Sequence, residues 1–300
     1  MKRKITKNKV FNTINGYVFL APLIVGMALF TFYPIVQSLI YSFQDFNLFG
    51  GVEPAGFANY EKVFGGDSEM KKVALNTLLY VIISVPLNLF LSYFVAVLVN
   101  QKKSGVKLFR VLYYLPVVIP GVVSGVLWKD ILNPSDGMMN TIFSAIGLPE
   151  NTFFSSAKTS LFAVLFMGLW GIGGGMILWL SAFKIIPDSG YEAADLDGAG
   201  VFTKVFKITI PLSTSMIFYN LIMGLIGAMQ VNSTLIYAPR EGRGYENSVY
   251  FVGVKIYREA FVRNNLGYAS AIAWVLFIVI AILTLVCFKT NKWVYYGVGD

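Results

Sequence analysis

The chain has 300 residues, 56% of them hydrophobic and 13% charged, with a net charge of +8 and a mean hydropathy of +0.65. That apolar content excludes an ordinary soluble domain. The lack of histidine and the single cysteine, Cys287, remove Ser-His-Asp hydrolysis, HExxH zinc sites and any disulfide within the chain.

A bilayer span needs about 20 mostly apolar residues, and six charge-free windows approach or exceed that length: 10–44, 73–101, 111–128, 159–183, 208–239 and 264–288. The basic start "MKRKITKNK" resembles the n-region of a signal peptide. The apolar run behind it is longer than the roughly 7–15 residues of a signal core, so it reads as an uncleaved first span. Residues 1–16 are expected to form a basic tail, 17–289 a six-helix membrane domain and 290–300 a second tail. The fold class expected is all-α integral membrane, six transmembrane helices, with a cytoplasmic loop at 184–212 between the fourth and fifth.

Charge sets the orientation. The N-terminal tail carries Lys2, Arg3, Lys4, Lys7 and Lys9, and the loop after the second window carries Lys102, Lys103, Lys107 and Arg110 with no acid. The loop after the first window has more acids (Asp45, Glu53, Glu61, Asp67, Glu69) than bases (Lys62, Lys71, Lys72). The positive-inside rule then puts both termini in the cytoplasm. Arg240, Arg243, Lys255, Arg258 and Arg263 dissent, because they fall in a loop that this topology places outside.

Several windows carry helix breakers: Pro22, Pro34, Pro86, Pro116, Pro120, Gly121 and the run "GLWGIGGG" over 168–175. Pro86 reads as a simple kink. Pro116, Pro120, Gly121 and the glycine run are read as cavity lining, with close packing of Gly171 and Gly175 as the competing account. Tyr113 and Tyr114 suit an interfacial aromatic belt. The glycine run misses the GxGxxG spacing, and the chain has no Gly-Lys pair, so no P-loop is present. Few carboxylates lie in the windows, which argues against a proton-driven carrier. No DDxxD pattern suggests a membrane transferase.

Between the fourth and fifth windows the chain turns acidic in "SGYEAADLDGAG". Ser189 and Glu192 have capping-box spacing, Pro187 ends the preceding helix, and Gly198 and Gly200 stop the new one. A second stretch, "VFTKVFKITIPL", aligns Val201, Val205, Ile208 and Leu212. Two short helices joined by a glycine turn are expected at the membrane surface.

"EAADLDGAG" followed by "ITIPL" resembles the EAA loop of binding-protein-dependent ABC importer permeases, with Ile210-Pro211 where Leu-Pro is usual. "FYPIVQSLIYSFQDFNL", "GFANYEKVF", "FRVLYYLPVVIPGVVSGVLWKDILNPSDGMMN" and "IYREAFVRNNLGYASAIAWVLF" are similar, in order, to other segments of the maltose-transporter-like carbohydrate permeases. The resemblance implies a bacterial cell-membrane subunit forming half of a translocation pore for a carbohydrate, with related polyols or glycerol phosphates as the alternative. It implies four kinds of partner: a second homologous permease, two ATPase subunits that use ATP and Mg, an extracytoplasmic solute-binding protein and the sugar. No cofactor, metal or nucleic acid is expected on this chain, and no enzymatic activity. Glu192, Ala193, Ala194, Asp197 and Gly198 are the expected coupling residues toward the ATPase. The substrate pathway is expected at Pro116, Gly121, Gly168, Trp170, Gly171, Gly174, Asn220, Gln230 and Asn232, where amides, an aromatic face and bare backbone suit a sugar.

Overall fold

A backbone in hydrocarbon must satisfy its own hydrogen bonds, and helices dominate this chain. The computed structural model describes residues 7–47, 49–101 and 103–295, with side chains from residue 15 onward. Lys2, Arg3, Lys4, Lys102, the side chains of Lys7 and Lys9, and the end of the C-terminal tail lie outside the described residues. In chain order run α1 (Asn15–Ser42), α2 (Met70–Val99), α3 (Val106–Val118), α4 (Gly121–Ile131), α5 (Met138–Ala145), α6 (Ala157–Phe183), α7 (Asp188–Leu196), α8 (Val201–Leu212), α9 (Thr214–Met229), α10 (Val252–Tyr257) and α11 (Leu266–Lys289). Helical backbone already begins at Lys7, ahead of residue 17 where the sequence places the membrane domain.

Four of these helices, α1, α2, α6 and α11, are long and apolar enough to cross a bilayer. The third and fifth windows are not single straight helices. The pair α3 and α4 is bent by 99°, and the pair α8 and α9 by 69°. The first bend has a local cause. Ile119 precedes Pro120, whose ring disfavours helical backbone one residue earlier, and Ile119 is extended at φ −73°, ψ 126°. In α1, Pro34 lacks the N–H of the helical ladder, and the wider π turn Ala28–Phe32 lies just before it. Helix α2 runs through Pro86 without a break, as a simple kink allows.

The described residues fall into two units. The first comprises Met1–Gly66 and Glu259–Trp274. The sequence reading had no strands, but this unit holds an antiparallel hairpin, β1 (Gln44–Asn47) with β2 (Gly51–Pro54). Asn59 secures its base, donating to the carbonyls of Ser42 at 3.1 Å and Gln44 at 2.8 Å. At Gly267 a Cβ would stand 2.0 Å from the Gln44 carbonyl, so only glycine allows that approach. Lys62 lies over the buried Tyr268 ring at 4.1 Å.

The second unit, Asp67–Arg258 and Val275–Asp300, is organised around α2, which packs on α6 and α9. Trp179 is fully buried and donates from Nε1 to Ser92 Oγ at 2.9 Å. Tyr93 packs edge-on against Trp179 and Phe183, with Val95, Ala96, Val99, Met176 and Ile186 in the same core. Residues after α11 return to α9, where the Tyr295 N–H donates to Thr214 Oγ1 at 2.8 Å. Large apolar side chains are exposed over the long helices, Phe19 at 89% and Phe30 at 81%. On helices of this length and hydropathy, such side chains suit contact with lipid or a membrane partner.

The basic residues that dissent from the charge rule sit among local partners. Lys255 is fully buried and pairs with Asp67 at 2.8 Å and Glu69 at 3.4 Å. Arg258 pairs with Glu241, and Arg263 with Glu259 at 2.6 Å. Arg240 stacks over the Tyr245 ring, and Arg243 donates to the Arg240 carbonyl.

Candidate functional site

Two features stand out in the second unit: an exposed acidic helix and a polar cavity. The helix is α7. It starts at Asp188, two residues earlier than a Ser189 cap would place it, with Pro187 as its cap residue and no side-chain capping bond. Ser189 therefore lies inside the first turn, and the expected capping box with Glu192 does not form. The C-terminal end follows the sequence expectation closely. Gly198 has φ +73°, its N–H donates to the Asp195 carbonyl at 3.1 Å, and the Ala199 N–H donates to the Ala194 carbonyl at 2.8 Å. These two bonds form a Schellman turn, which needs the left-handed residue that glycine supplies most readily.

Two contacts tie α7 to α8. Tyr191 and Thr209 share a hydroxyl hydrogen bond at 2.9 Å, and Lys204 pairs with Asp195. The opposite side of α7 is bare. Glu192, Ala193, Asp197 and Gly198 are exposed, with Ala194 half-buried. Leu196 is 92% exposed and Phe202, at the start of α8, 81%. Acids flanking uncovered apolar side chains on a rigidly capped helix form a surface suited to a protein partner.

The cavity, of about 320 Å³, lies among α2, α6 and α9. Its polar lining is Tyr80, Ser84, Asn88 and Ser92 from α2 and Asn220 from α9. Asn88 and Asn220 each donate one N–H to the carbonyl four residues back, at 3.0 and 2.9 Å, which holds the amides at the wall. No Lys, Arg, Asp or Glu belongs to this lining among the described residues.

Of the expected pathway residues, Gly171 and Asn220 line this cavity. Pro116 and Trp170 line a separate, mostly apolar cavity of about 390 Å³ between α3 and α6, where Trp170 packs edge-on against Trp128. Gly168 is outside both linings, 3.9 Å from the Tyr80 hydroxyl when a Cβ is built on it. Gly174 is also outside both linings; a Cβ there meets the Val117 methyls at 3.8 Å. Gly121 opens α4 with space around it. Gln230 and Asn232 follow the end of α9 outside the lining, and Gln230 folds back onto the Ile226 carbonyl at 3.2 Å. Sequence reasoning missed the α2 wall. Its signal was present: Tyr80, Ser84, Asn88 and Ser92 recur every four residues, one face of a helix.

Helices α2 and α6, both of membrane-crossing length, and α9 line a cavity with no charged side chain in its lining among the described residues, and an acidic helix stands outside that lining. The chain is 34% identical over 289 residues to "Probable ABC transporter permease protein YesP" of Bacillus subtilis (strain 168), covering 95% of this chain and 93% of that protein. It therefore belongs to the ABC transporter permeases, in the group that includes the sugar permeases. A second relative is "Multiple sugar-binding transport system permease protein MsmF" of Streptococcus mutans serotype c, 29% identical, covering 96% of this chain and 99% of that one. The fold matches a chain of a bacterial alginate ABC transporter, solved in complex with an alginate pentasaccharide-bound periplasmic protein. That match has TM-score 0.84 and 21% identity, and covers 95% of this chain and 96% of that one. No family model matches the chain.

Proposed function

We propose that this chain forms half of the translocation pathway of an ABC importer for a carbohydrate, most simply an oligosaccharide, handed over by an extracytoplasmic solute-binding protein. A second homologous permease supplies the other half, and two ATPase subunits supply the energy. Each bent helix pair counts as one span, which gives six, with both termini, the 102–110 loop and α7 in the cytoplasm. Lys255, Arg258 and Arg263, between the fifth and sixth spans, sit in ion pairs, and the basic residues of that loop stay an exception to the charge rule.

The observation that carries the reading is α7. Its outward carboxylates and uncovered Leu196, fixed at one end by the Gly198 turn, suit a plug for a groove on the ATPase, with Glu192, Ala193, Ala194, Asp197 and Gly198 at the contact. The sugar pathway is drawn along Gly171, Asn220 and the α2 stripe. The cavity's size falls in the range of about 300–1,000 Å³ that small-ligand sites occupy. Its uncharged amides and hydroxyls favour a neutral sugar over a glycerol phosphate, which needs a cationic partner.

Proteoliposomes holding the full complex are expected to accumulate labelled oligosaccharide only with ATP and binding protein. Gly198→Asp is expected to leave the chain in the membrane, because a Cβ at Gly198 meets nothing within 4 Å and the strain of a non-glycine residue at φ +73° falls on an exposed turn, yet to lose substrate-stimulated ATP hydrolysis. Uptake without nucleotide overturns the reading.

A further inference from the structure

Behind α7 lies another cavity, of about 430 Å³, where the end of α2, the Lys103 segment and α8 meet. Its polar lining comprises Asn100, Gln101, Lys103, Tyr191, Lys204 and Thr209, over an apolar floor of valines and Phe183. Two ammonium groups thus share one cavity, and no carboxylate lines it among the described residues. The surroundings reinforce the sign, since no acid occurs in the chain between Glu69 and Asp130, while Lys107 and Arg110 follow Lys103. Besides the Asp195 carboxylate paired with Lys204, the carbonyl end of α2 is a nearby source of negative potential. Arg110 neutralises it by donating to the Val99 carbonyl from Nε at 2.9 Å and Nη2 at 2.6 Å. The Lys204 side chain is 21% exposed, and its acid, Asp195, stands on α7 outside the lining with 65% of its side chain exposed.

We propose that this cavity binds a phosphate group, held between Lys103 and Lys204 with the amides of Asn100 and Gln101 as further donors, and that its occupancy draws Lys204 away from Asp195. Ammonium groups and amides in a partly enclosed site match phosphate oxygens by charge-assisted hydrogen bonds. The apolar floor fits either the glycerol backbone of an anionic phospholipid or the carbon skeleton of a soluble phosphate ester. Lys204–Asp195 is one of the two polar ties between α7 and α8 among the described residues, so a bound phosphate loosens the acidic helix. That regulatory step rests on the coupling role proposed for α7; the binding step does not.

The test uses the assembled transporter in phosphatidylcholine nanodiscs. One arm adds phosphatidylglycerol, read by native mass spectrometry. The other adds glycerol 3-phosphate, read by titration calorimetry. Binding in one arm is expected, and the arm names the source. Lys103→Gln with Lys204→Gln is expected to weaken it about tenfold or more, the loss of charge-assisted hydrogen bonds. Lys103→Arg with Lys204→Arg is expected to retain it, which separates lost binding from lost folding. Asp195→Asn, which frees Lys204, is expected to tighten it. Absence of binding in both arms, or equal binding by the double Gln variant, overturns the site. Lysine-dependent binding that leaves substrate-stimulated ATP hydrolysis unmoved overturns the regulatory step. Failure of the coupling reading shows separately, as normal uptake by Gly198→Asp.

Discussion

Gly171, Gly173, Gly174 and Gly175 sit within one turn and a half of α6, yet each has different neighbours. A Cβ on Gly173 would stand 1.8 Å from the Tyr113 carbonyl oxygen, and one on Gly175 2.9 Å from Ser92 Cβ. At Gly171 nothing lies within 4 Å and the wall is open to the cavity. Cavity lining and close packing, rivals in the sequence, are therefore both present, at Gly171 and, two positions on, at Gly173. Gly173→Ala is expected to reduce the yield of assembled complex for every substrate, because backbone must move. Gly171→Leu is expected to assemble normally and to impair uptake, most for the longest sugar; equal transport of all chain lengths would count against the pathway. Glu192 presents the opposite case. It makes no hydrogen bond or ion pair among the described residues and is exposed, so Glu192→Ala is expected to change stability by no more than about 0.5 kcal/mol. A drop in co-purified ATPase then reports docking alone. Unchanged co-purification and hydrolysis would remove Glu192 from the contact.

At the scale of elements, what the sequence disclosed depended on how local its cause was. Membrane-length helices were visible because hydropathy is a property of each window by itself. The Gly198 turn was visible because one residue type meets a left-handed requirement. The bends were harder to see: Ile119-Pro120 and Pro211 signalled a disturbance, but its size is set by what each half packs against. Lys255 was misleading for the same reason, since its partners Asp67 and Glu69 are 188 and 186 residues away. That pairing gives a sharp expectation. Removing one member of a buried ion pair leaves uncompensated charge and costs about 3–5 kcal/mol, with the low end appropriate here because Glu69 is partly exposed. Lys255→Met is expected to lower the unfolding midpoint of the detergent-purified protein, and Lys255→Met with Asp67→Asn and Glu69→Gln to recover part of it. An unchanged midpoint in the single variant would mean that the cluster contributes nothing to stability.

For the whole molecule, orientation is the property that ties α7 to its role, and one cysteine makes it measurable. With Cys287 replaced by serine, cysteines are placed singly at Ser68 and Ser189, both exposed. An impermeant thiol reagent applied to intact cells is expected to modify position 68 and to spare position 189. Modification of 189 from outside would invert the topology and detach α7 from any cytoplasmic ATPase. The elbow between α8 and α9 has a mechanical consequence for a chain so oriented. Backbone bonds brace both sides of the break: Ser213 N–H donates to the Thr209 and Ile210 carbonyls, and the Met216 and Ile217 N–H groups donate to the Ser213 carbonyl. A joint braced on both sides works as a crank rather than a hinge. The 12 residues of α8, which include the π turn Val205–Thr209, make an arm of at most about 18 Å and the 16 residues of α9 one of about 24 Å at 1.5 Å per residue. A shift of about 2 Å at the Val201 end, the size helices make against one another, tilts the crank by roughly 6° and carries the far end of α9 through roughly 3 Å. The stroke arrives slightly enlarged at the end of α9 nearest Gln230, past the cavity that Asn220 lines. If α7 couples to an ATPase as proposed, stiffness at Ser213 sets how much of that partner's motion reaches the cavity, and an extra glycine there would let the arm swing without delivering it.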